Sequence, residues 1–420
     1  MKNHNGKHKA MVSGSMLLVL PALFRQSGGE LLLEAQAFNG LNRWAEHFSK
    51  VVAVAPVVPE RDARADKAVT WKTTSALDAR VECIPLPWAY KPVTFAREYL
   101  QVRQVLHAQI ARCEFLQFAI GGLWGDWAAV AASEAKKQRR IYAIHTDRVE
   151  PQVMRELARR SSGARRFKHS IEAALMERYH QVLIENCALG LWHGRECYTT
   201  YSKWCSNSHL IHDVHTRKSD AIDPDTLRRK LAAVGTESTL RIAYAGRLTP
   251  MKAPLDWVKV IGRARDLGVS LQATWYGDGE LREEMERAIE SLQLGAVIRV
   301  AGFVSDRDRL LRDLRDSHIF LFTHVTPESP RCLLEAMICG APIVGYNNPF
   351  AADLTSELGG GAFVSIDDWQ ALGDLVAHLA GQRSKLGRLI SEAAENGKRF
   401  NDEDLFRERS LLIRSMQTAS

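Results

Sequence analysis

The sequence predicts an α/β protein built from two Rossmann-like halves. Short apolar runs that resemble buried strands alternate with longer segments of helical periodicity along most of the 420 residues. The length is enough for two domains of ordinary size. Near its start the chain has a strand, a glycine pair and a helix, which is how a Rossmann-like half begins.

The composition is that of a globular protein. Apolar residues make up 46% of the chain and charged residues 25%, and no apolar run approaches the ~20 residues of a membrane span. The seven cysteines are scattered without a CxxC pair, which favours a reducing compartment and argues against a zinc site or a disulfide framework. Lysines precede the apolar stretch 16–24, as in a signal peptide, but no small-residue cleavage site follows. We therefore interpret Met16–Leu20 as the first buried strand.

The first half contains further strands and helices in alternation, each indicated by a β-branched or apolar run or by helical spacing of apolar residues. The predicted strands are 51–56, 83–87, 115–120, 141–144, 188–192 and 209–214, and the predicted helices are 31–48, 93–111, 127–137, 165–186 and 194–204. Residues 60–80 are polar and irregular, which is typical of a surface loop. In the helix at 165–186, Phe167, Ile171 and Leu175 recur at helical spacing.

Several polar side chains follow strands of this half. Because ligands of open α/β sheets bind beyond the carboxyl ends of strands, Asp126, His145, Asp147 and Arg148 are candidates for a ligand cleft. Two structural interpretations remain open. Asp126 has the position of a helix cap, and His145 has the position of a buried structural histidine.

Positive charge is concentrated in residues 136–168. This segment holds eleven Lys or Arg and three acids, so its net charge of +8 exceeds the +7 of the whole chain. Such a patch suits an anionic membrane surface or a phosphate-bearing acceptor. The alternative is a face that only confers solubility.

A polar segment at 216–235 leads into the second half. There the predicted strands are 240–246, 271–276, 297–304, 319–322, 342–345 and 362–364, and the predicted helices begin at 254 and cover 306–317, 367–380, 383–399 and 403–416. Arg247 and Lys252 lie on the loop after the first of these strands. Two cations at a strand end can neutralise a diphosphate.

The stretch between 319–322 and 342–345 predicts an anion pocket. Ser329 can act as the N-cap of a helix that begins at Pro330 and ends at Gly340. The amides of Arg331, Cys332 and Leu333 would then point out of the helix start and attract an anion. Two carboxylates accompany this helix, Glu328 before its cap and Glu335 one turn inside, and each can accept hydrogen bonds from sugar hydroxyls.

At these residues the chain resembles glycosyltransferase family 4, the large retaining "group 1" family of the GT-B fold. The family hallmark is Glu-x7-Glu followed by Ala-Met-x-x-Gly-x-Pro-Val, and residues 335–344 read Glu-Ala-Met-Ile-Cys-Gly-Ala-Pro-Ile-Val. The loop with Arg247 and Lys252 and the Gly-Asp-Gly at 277–279 are similar to further blocks of the family, in the same order. Two spacings depart from it: Glu328 and Glu335 enclose six residues, and Arg247 and Lys252 enclose four.

The resemblance implies the GT-B fold, with two Rossmann-like domains facing a central cleft and a C-terminal helix that crosses back to the first domain. The expected boundaries are 1–225, 226–400 and 401–420. The resemblance also implies a nucleoside-diphosphate sugar as donor, with no metal and no cofactor. The expected catalytic residues are Arg247, Lys252 and Glu328, with the diphosphate or sugar between them. The expected donor-binding residues are Gly29, Gly246, Gly277, Val304, Cys332, Leu333, Leu334 and Glu335, with the ribose on Glu335.

The predicted function is therefore transfer of a sugar with retention. From the basic patch we expect a lipid-linked or growing polysaccharide acceptor, and a cytoplasmic protein that contacts the inner membrane face through residues 136–168. Three alternatives belong to other classes. The first is a nucleotide-sugar-binding protein without catalysis, suggested by the shortened Glu spacing. The second is a nucleic-acid-binding protein, which no motif supports, and the third is a GT-B epimerase, which the two cations disfavour.

Overall fold

A computed structural model describes residues 12–59, 69–159, 161–326 and 329–416. The chain divides into two compact units: the first combines Met1–His212 with Asp404–Ser420, and the second is Asp213–Glu403. None of the helices in the described residues is both long and apolar enough to cross a membrane.

The first unit contains ten strands and six complete helices in its described residues. The strands are β1 (Val12–Val19), β2 (Phe24–Ser27), β3 (Glu30–Glu34), β4 (Lys50–Val58), β5 (Trp71–Thr73), β6 (Val81–Leu86), β7 (Cys113–Ala119), β8 (Ala143–Thr146), β9 (Leu189–His193) and β10 (Ser208–Ile211). The helices are α1 (Ala35–His47), α2 (Pro92–Arg112), α3 (Trp127–Lys137), α4 (Glu150–Arg159), α5 (Gly163–Ile184) and α6 (Gly194–Tyr201).

Seven of these strands form a parallel sheet in the order β6-β4-β1-β7-β8-β9-β10. The order reverses between β1 and β7, as expected for a doubly wound fold. Leu17 and Val54 on the strands pack in one cluster with Leu106 of α2 and Trp127 of α3, all of them buried. Burying side chains of this size stabilises the fold by about 1.5–3 kcal/mol each.

The predicted strand–glycine–helix opening is wrong in one respect. Gly28 and Gly29 join the antiparallel strands β2 and β3, and the helix begins only at Ala35. The two glycines have φ values of +58° and +82°, and two consecutive positive φ values are what a two-residue hairpin turn of type I′ requires. A second difference is that β5 occupies part of the segment predicted as a loop, where Leu33 pairs with Lys72.

The second unit contains six strands and eight complete helices in its described residues. The strands are β11 (Leu240–Ala245), β12 (Leu271–Tyr276), β13 (Ile298–Gly302), β14 (Ile319–Phe322), β15 (Ile343–Tyr346) and β16 (Gly361–Val364). The helices are α7 (Pro224–Thr236), α8 (Pro254–Asp266), α9 (Arg282–Ser291), α10 (Arg307–Asp316), α11 (Arg331–Ile338), α12 (Pro349–Thr355), α13 (Trp369–Gly381) and α14 (Arg383–Gly397). The last helix, α15 (Asp402–Ser415), lies mostly in the first unit.

The six strands of the second unit are all parallel, in the order β13-β12-β11-β14-β15-β16. Numbered within the unit, this is the order 3-2-1-4-5-6 of the Rossmann fold, which confirms the predicted fold class for this half. The strand order reverses between β11 and β14. In such sheets the ligand binds in the crevice beyond the carboxyl ends of the two strands at the reversal.

Candidate functional site

The loops after β11 and β14 form the reversal point of the second unit, and they are joined by hydrogen bonds. The Thr323 hydroxyl donates to the carbonyl oxygens of Lys252 at 2.8 Å and Ala253 at 3.0 Å. The amide of Val325 donates to the Met251 carbonyl at 3.1 Å. Lys252 is therefore held at the place where the fold predicts a ligand. Arg247, at the start of the same loop, is exposed to solvent.

A buried histidine lies beneath this loop. His324 has no exposed surface, and its Nε2 lies 2.7 Å from the Tyr244 hydroxyl. Burial, and in second place the positive charge of Lys252, hold the pKa of His324 well below its usual range. A neutral imidazole therefore supports the loop, and Lys252 lies close enough to act on it. The sequence motifs did not indicate His324, although its position directly after an apolar strand run is a usable signal.

The glycines after β11 and β12 pack backbone against backbone. Gly277 donates its N–H to the Gly302 carbonyl at 2.8 Å and has φ +151°, which favours glycine. A Cβ at Gly277 would lie 1.9 Å from the Gly246 carbonyl oxygen. The Trp275 indole N–H donates to that same oxygen at 3.0 Å. Close packing of the strand ends is thus enough to explain why position 277 requires a glycine. Donor binding by Gly246 and Gly277 stays a prediction.

The helix of the predicted anion pocket begins one residue later than expected. Pro330 is the N-cap of α11 and Arg331 its first residue, so the prediction of Ser329 as the cap is wrong. Leu333 was expected to offer a free amide, but its N–H donates to the Pro330 carbonyl at 3.1 Å. The end of the helix is as predicted, since Gly340 follows it with φ +65°.

Around α11 the remaining donor-binding candidates have different exposures. Leu333 and Leu334 are buried, so they can offer only backbone groups to a ligand, whereas Cys332 is half-buried. The Arg331 guanidinium donates to the Asp213 carboxylate at 2.8 Å. Val304 is half-buried on the loop after β13. Glu328 lies outside the described residues, so its expected role stays a prediction.

Glu335 is held by an ion pair that the sequence did not indicate. Its Oε1 accepts from the Arg307 guanidinium at 2.5 Å, and its side chain is only 14% exposed. Arg307 also lies 3.7 Å from the Asp220 carboxylate and donates to the His215 carbonyl at 3.4 Å. One carboxylate oxygen of Glu335 is thus oriented by the protein. The other can accept hydrogen bonds from a pair of ribose hydroxyls, as the resemblance implies.

In the first unit, Asp126 is a helix cap. It accepts hydrogen bonds from the amides of Ala129 at 2.9 Å, Gly121 at 2.8 Å and Gly122 at 3.0 Å. Burial raises the pKa of Asp126 to about 6, while these amide bonds act in the opposite direction. The structural interpretation of Asp126 is therefore confirmed.

The other candidates of the first unit lie at two places. His145, 5% exposed at the end of β8, has its Nε2 3.4 Å from the Asp147 carboxylate. The two residues are therefore neighbours, whereas Arg148 pairs with Glu150. Gly29 lies at the exposed tip of the β2–β3 hairpin, where a Cβ would have no other atom within 4 Å, so it is not on the predicted strand-to-helix turn.

The basic segment 136–168 is less uniform than its composition suggests. Arg140 is not part of a charged surface, because its guanidinium donates to the carbonyls of Ile110, Cys113 and Glu114. Other basic side chains of the segment have acidic neighbours: Arg155–Glu177, Arg159–Glu156 and Lys168–Glu172.

The start of α5 differs most from expectation. Phe167, Ile171 and Leu175 were placed by periodicity on a helix, and the helix is confirmed. Their side chains, however, are 70%, 43% and 55% exposed. Arg165 and Arg166, beside Phe167, are exposed as well. The structure thus has an exposed apolar stripe (Phe167, Ile171 and Leu175) next to cationic side chains.

Comparison with known proteins agrees with this geometry. Residues 226–396 match the family model described as "Glycosyl transferases group 1". The chain is 26% identical over 241 residues to the 2-deoxystreptamine N-acetyl-D-glucosaminyltransferase of Niallia circulans, covering 56% of this chain and 59% of the relative. It is 24% identical over 194 residues to the amylovoran biosynthesis glycosyltransferase AmsK of Erwinia amylovora, covering 44% and 47%. The chain spans about half the length of the curated relatives it matches.

The fold is shared more widely than the sequence. The crystal structure of Anabaena Alr3699/HepE in complex with UDP superposes with a TM-score of 0.65 at 15% identity, covering 96% of this chain and all of that one. At this identity the likeness shows the fold alone. The chain as a whole therefore has the GT-B fold, and residues 226–396 are similar to the group 1 glycosyltransferases.

Proposed function

We propose that the protein is a retaining glycosyltransferase that moves a sugar from a nucleoside diphosphate to an acceptor. The observation that carries this proposal is the position of Lys252 in a group 1 domain. Its loop is hydrogen-bonded to the loop after β14, at the reversal of the strand order. Arg247 lies on the same loop. The names of the two relatives and the UDP in the Anabaena structure support a nucleotide sugar as donor.

In the proposed reaction the bond between the anomeric carbon and the diphosphate oxygen breaks, and a bond to the acceptor oxygen forms on the same face. The acceptor proton passes to the departing phosphate oxygen. Arg247 and Lys252 stabilise the negative charge of the diphosphate, and the start of α11 adds its helix dipole. These groups make a metal unnecessary for neutralising the leaving group. Glu335, oriented by Arg307, holds the ribose, and Glu328 holds the donor sugar.

Donor binding tests the proposal directly. A thermal-shift panel of UDP-, GDP- and ADP-sugars should identify one nucleotide that stabilises the protein, and calorimetric titration should then give its Kd. Lys252→Met should weaken that affinity about tenfold or more, because a hydrogen bond to a charged group contributes ~1.5–3 kcal/mol. Lys259→Met is the matched control, since Lys259 is an exposed lysine of α8 that pairs with Asp256. If both variants bind the donor like the wild type, the proposed site is wrong.

We further propose that the acceptor is lipid-linked or a growing polysaccharide, met at the inner face of the membrane. The support is the exposed stripe of Phe167, Ile171 and Leu175 beside Arg165 and Arg166. Apolar side chains can enter the headgroup region while the cations contact anionic lipids. An anionic membrane surface is thus the occupant that both the apolar area and the charge fit.

A nucleotide-sugar-binding protein without catalysis is the second candidate. The ion pair between Glu335 and Arg307 favours it, because it gives Glu335 a structural role that needs no reaction. Glu335→Gln distinguishes the two. For a transferase that uses Glu335 on the ribose, nucleotide affinity should fall. Unchanged affinity, together with no release of nucleoside diphosphate by the wild type from any donor that it binds, would favour the second candidate.

A further inference from the structure

A cationic cavity lies at the start of β11 in the second unit, at the opposite end of this strand from the proposed donor site. It has a volume of about 200 Å³ and lies between one face of α7, the start of β11 and the end of α10. Its polar lining comes from Thr226, Arg229, Lys230, Arg241, Arg315 and Asp316. Arg241 and Gly246 are separated by most of β11, which at ~3.3 Å per residue is about 17 Å. The cavity is therefore distinct from the proposed donor site.

Lys230 is the unusual member of this lining. Its side chain is 5% exposed, and its ammonium nitrogen is buried with no hydrogen-bond partner among the described residues. A buried ammonium without a partner is costly, so it either loses its proton or gains an anion. Burial lowers the pKa of Lys230 to about 7, and the positive charge of Arg241 acts in the same direction. At neutral pH the group is thus poised between the two states.

The other cations of the cavity are held in place and keep donors to spare. Arg241 donates to the Asp316 carbonyl at 2.7 Å and contacts the Glu237 carboxylate. Arg315 donates to the Asp220 carbonyl at 2.7 Å, and Arg229 to the Thr226 hydroxyl at 2.8 Å. Each guanidinium has five N–H groups, so these contacts leave some of them available.

The charge of the lining is therefore unbalanced. Four basic side chains meet there, and Asp316 is the only acid among the described lining residues. The volume corresponds to about six or seven waters at ~30 Å³ each, enough for a phosphoryl group with part of its carrier. A phosphate group offers three acceptor oxygens and more than one negative charge, whereas a carboxylate offers two oxygens and a single charge.

We propose that this cavity binds a small phosphate-bearing anion through the guanidiniums of Arg229, Arg241 and Arg315, and that the buried Lys230 ammonium turns toward the anion as a further donor. The anion is inorganic phosphate or the phosphoryl group of a small phosphorylated metabolite. Binding restores a partner to the buried lysine. The site needs no nucleotide, so it does not depend on the identity of the donor.

Thermal denaturation of the full chain tests this proposal, with inorganic phosphate and a hexose 6-phosphate as the two probes and chloride at equal ionic strength as the reference. At ten times the Kd, the probe should raise Tm by roughly 3–6 °C. Lys230→Met should abolish this rise, and Arg229→Met should reduce it. Arg228→Met is the matched control on the same helix, because Arg228 is exposed and pairs with Asp225 outside the lining. The rise should persist in Lys252→Met.

The outcomes separate the sources of the anion. A rise with inorganic phosphate assigns free phosphate, and a rise with the hexose phosphate alone assigns a phosphorylated metabolite. Either result supports the site if it depends on Lys230. If neither probe raises Tm, the proposal is refuted. It is also refuted if the rise in Lys230→Met is as large as in the wild type and in the control Arg228→Met.

A second measurement needs no ligand. Between about pH 7 and pH 10.5 the unfolded chain holds a proton on Lys230 that the folded protein lacks, so the cost of burying Lys230 falls as pH rises. In phosphate-free buffer, Lys230→Met should therefore gain more Tm over the wild type at about pH 6.5 than at about pH 9.5. An equal gain at both values would show that the ammonium is not desolvated and would remove the basis of the site.

Two other titratable groups near the ammonium, Cys339 and His318, do not change their charge in this comparison. Burial raises the pKa of the Cys339 thiol to about 12 and lowers that of His318 to about 3, so both stay neutral.

Discussion

Replacing the exposed stripe of α5 tests the proposed contact with an anionic membrane. The change is Phe167→Ser, Ile171→Ser and Leu175→Ser in one variant. Serine has a helix propensity close to that of Ile and Phe, so the helix itself loses little. The opposite face of α5 keeps its buried residues, Ala173 and Met176 among them, so the packing of the unit is retained.

The magnitude follows from the exposed fractions. Fully burying a side chain of this kind contributes about 1.5–3 kcal/mol, and the three residues are 70%, 43% and 55% exposed. Insertion of the whole stripe into a membrane interface is therefore worth about 2.5–5 kcal/mol, which is roughly 70-fold to 5,000-fold in the partition coefficient. Insertion is only partial at the headgroup level, so we expect a loss of at least about tenfold.

Co-sedimentation with vesicles measures this partition coefficient. The wild type should bind vesicles containing phosphatidylglycerol more tightly than neutral phosphatidylcholine vesicles, and added salt should weaken the binding. Replacing Arg165 and Arg166 by Gln should cost about 1 kcal/mol per charge on the anionic vesicles. Leu100→Ser with Leu411→Ser is the matched control, since these leucines are 67% and 63% exposed on other helices of the unit.

Two results would refute the reasoning. Binding that is the same on neutral and anionic vesicles would exclude the role of the cations. Equal binding by the stripe variant and the control variant would exclude insertion of α5. If the stripe variant instead changes a dimer into a monomer in sedimentation velocity, a second copy of the chain covers the stripe and the membrane is not its partner.

Two further predictions concern the second unit. Gly277→Ala should lower the free energy of unfolding in urea by about 3 kcal/mol or more, because its Cβ would lie 1.9 Å from the Gly246 carbonyl oxygen. Gly295→Ala, where nothing lies within 4 Å, should change it by less than about 0.5 kcal/mol, and equal effects would contradict the packing argument. Arg307→Met should lower the same quantity by roughly 1.5–3 kcal/mol, because Glu335 would lose the charged donor to its partly buried carboxylate. A smaller loss in Arg307→Lys is expected, and an unchanged unfolding free energy in Arg307→Met would mean that the ion pair contributes nothing.

The second half could be predicted closely because parallel strands leave a strong sequence signal. Strands buried on both faces are continuous apolar runs, such as Ile319–Phe322, and each is followed by a helix of regular periodicity. The boundaries of β11, β12 and β14 agree with the sequence to within one residue. Gly246 and Gly277 directly follow β11 and β12 and so mark where these strands end, and β11 is one of the two strands at the reversal point.

The hairpin of β2 and β3 could not be found in this way. Leu31, Leu32 and Leu33 are consecutive, so they fit a helix face as well as a strand, and the glycine pair before them fits either kind of turn. What decides is the pairing of Phe24 with Leu33 within the hairpin together with that of Leu33 with Lys72 on β5, and the second pair lies far apart in the chain. The ion pair of Arg307 with Glu335 was invisible for the same reason, since it joins two helices.

Glycine motifs are ambiguous in a different sense. The sequence places Gly277 where a ligand could approach the backbone, and the structure gives it a contact with the carbonyl of Gly246. The two interpretations are compatible, because Gly277 directly follows β12, at the end of the sheet where α/β folds bind their ligands. The motif therefore indicates where the proposed site lies, and the charges of Arg247 and Lys252 favour a diphosphate as its ligand.

Helical periodicity has the complementary ambiguity, since it identifies a face of a helix without showing what covers that face. In α5 the positions of Ala173, Met176 and Leu183 are buried, so the helix already has its core side. The stripe of Phe167, Ile171 and Leu175 lies elsewhere on the same helix and cannot be explained by packing within the described residues. Arg165 and Arg166 are exposed beside the first residue of the stripe, and their charge would repel a basic partner and attract an anionic surface. The apolar stripe and the adjacent positive charge thus both favour an anionic membrane surface as the partner, although neither feature alone would identify it.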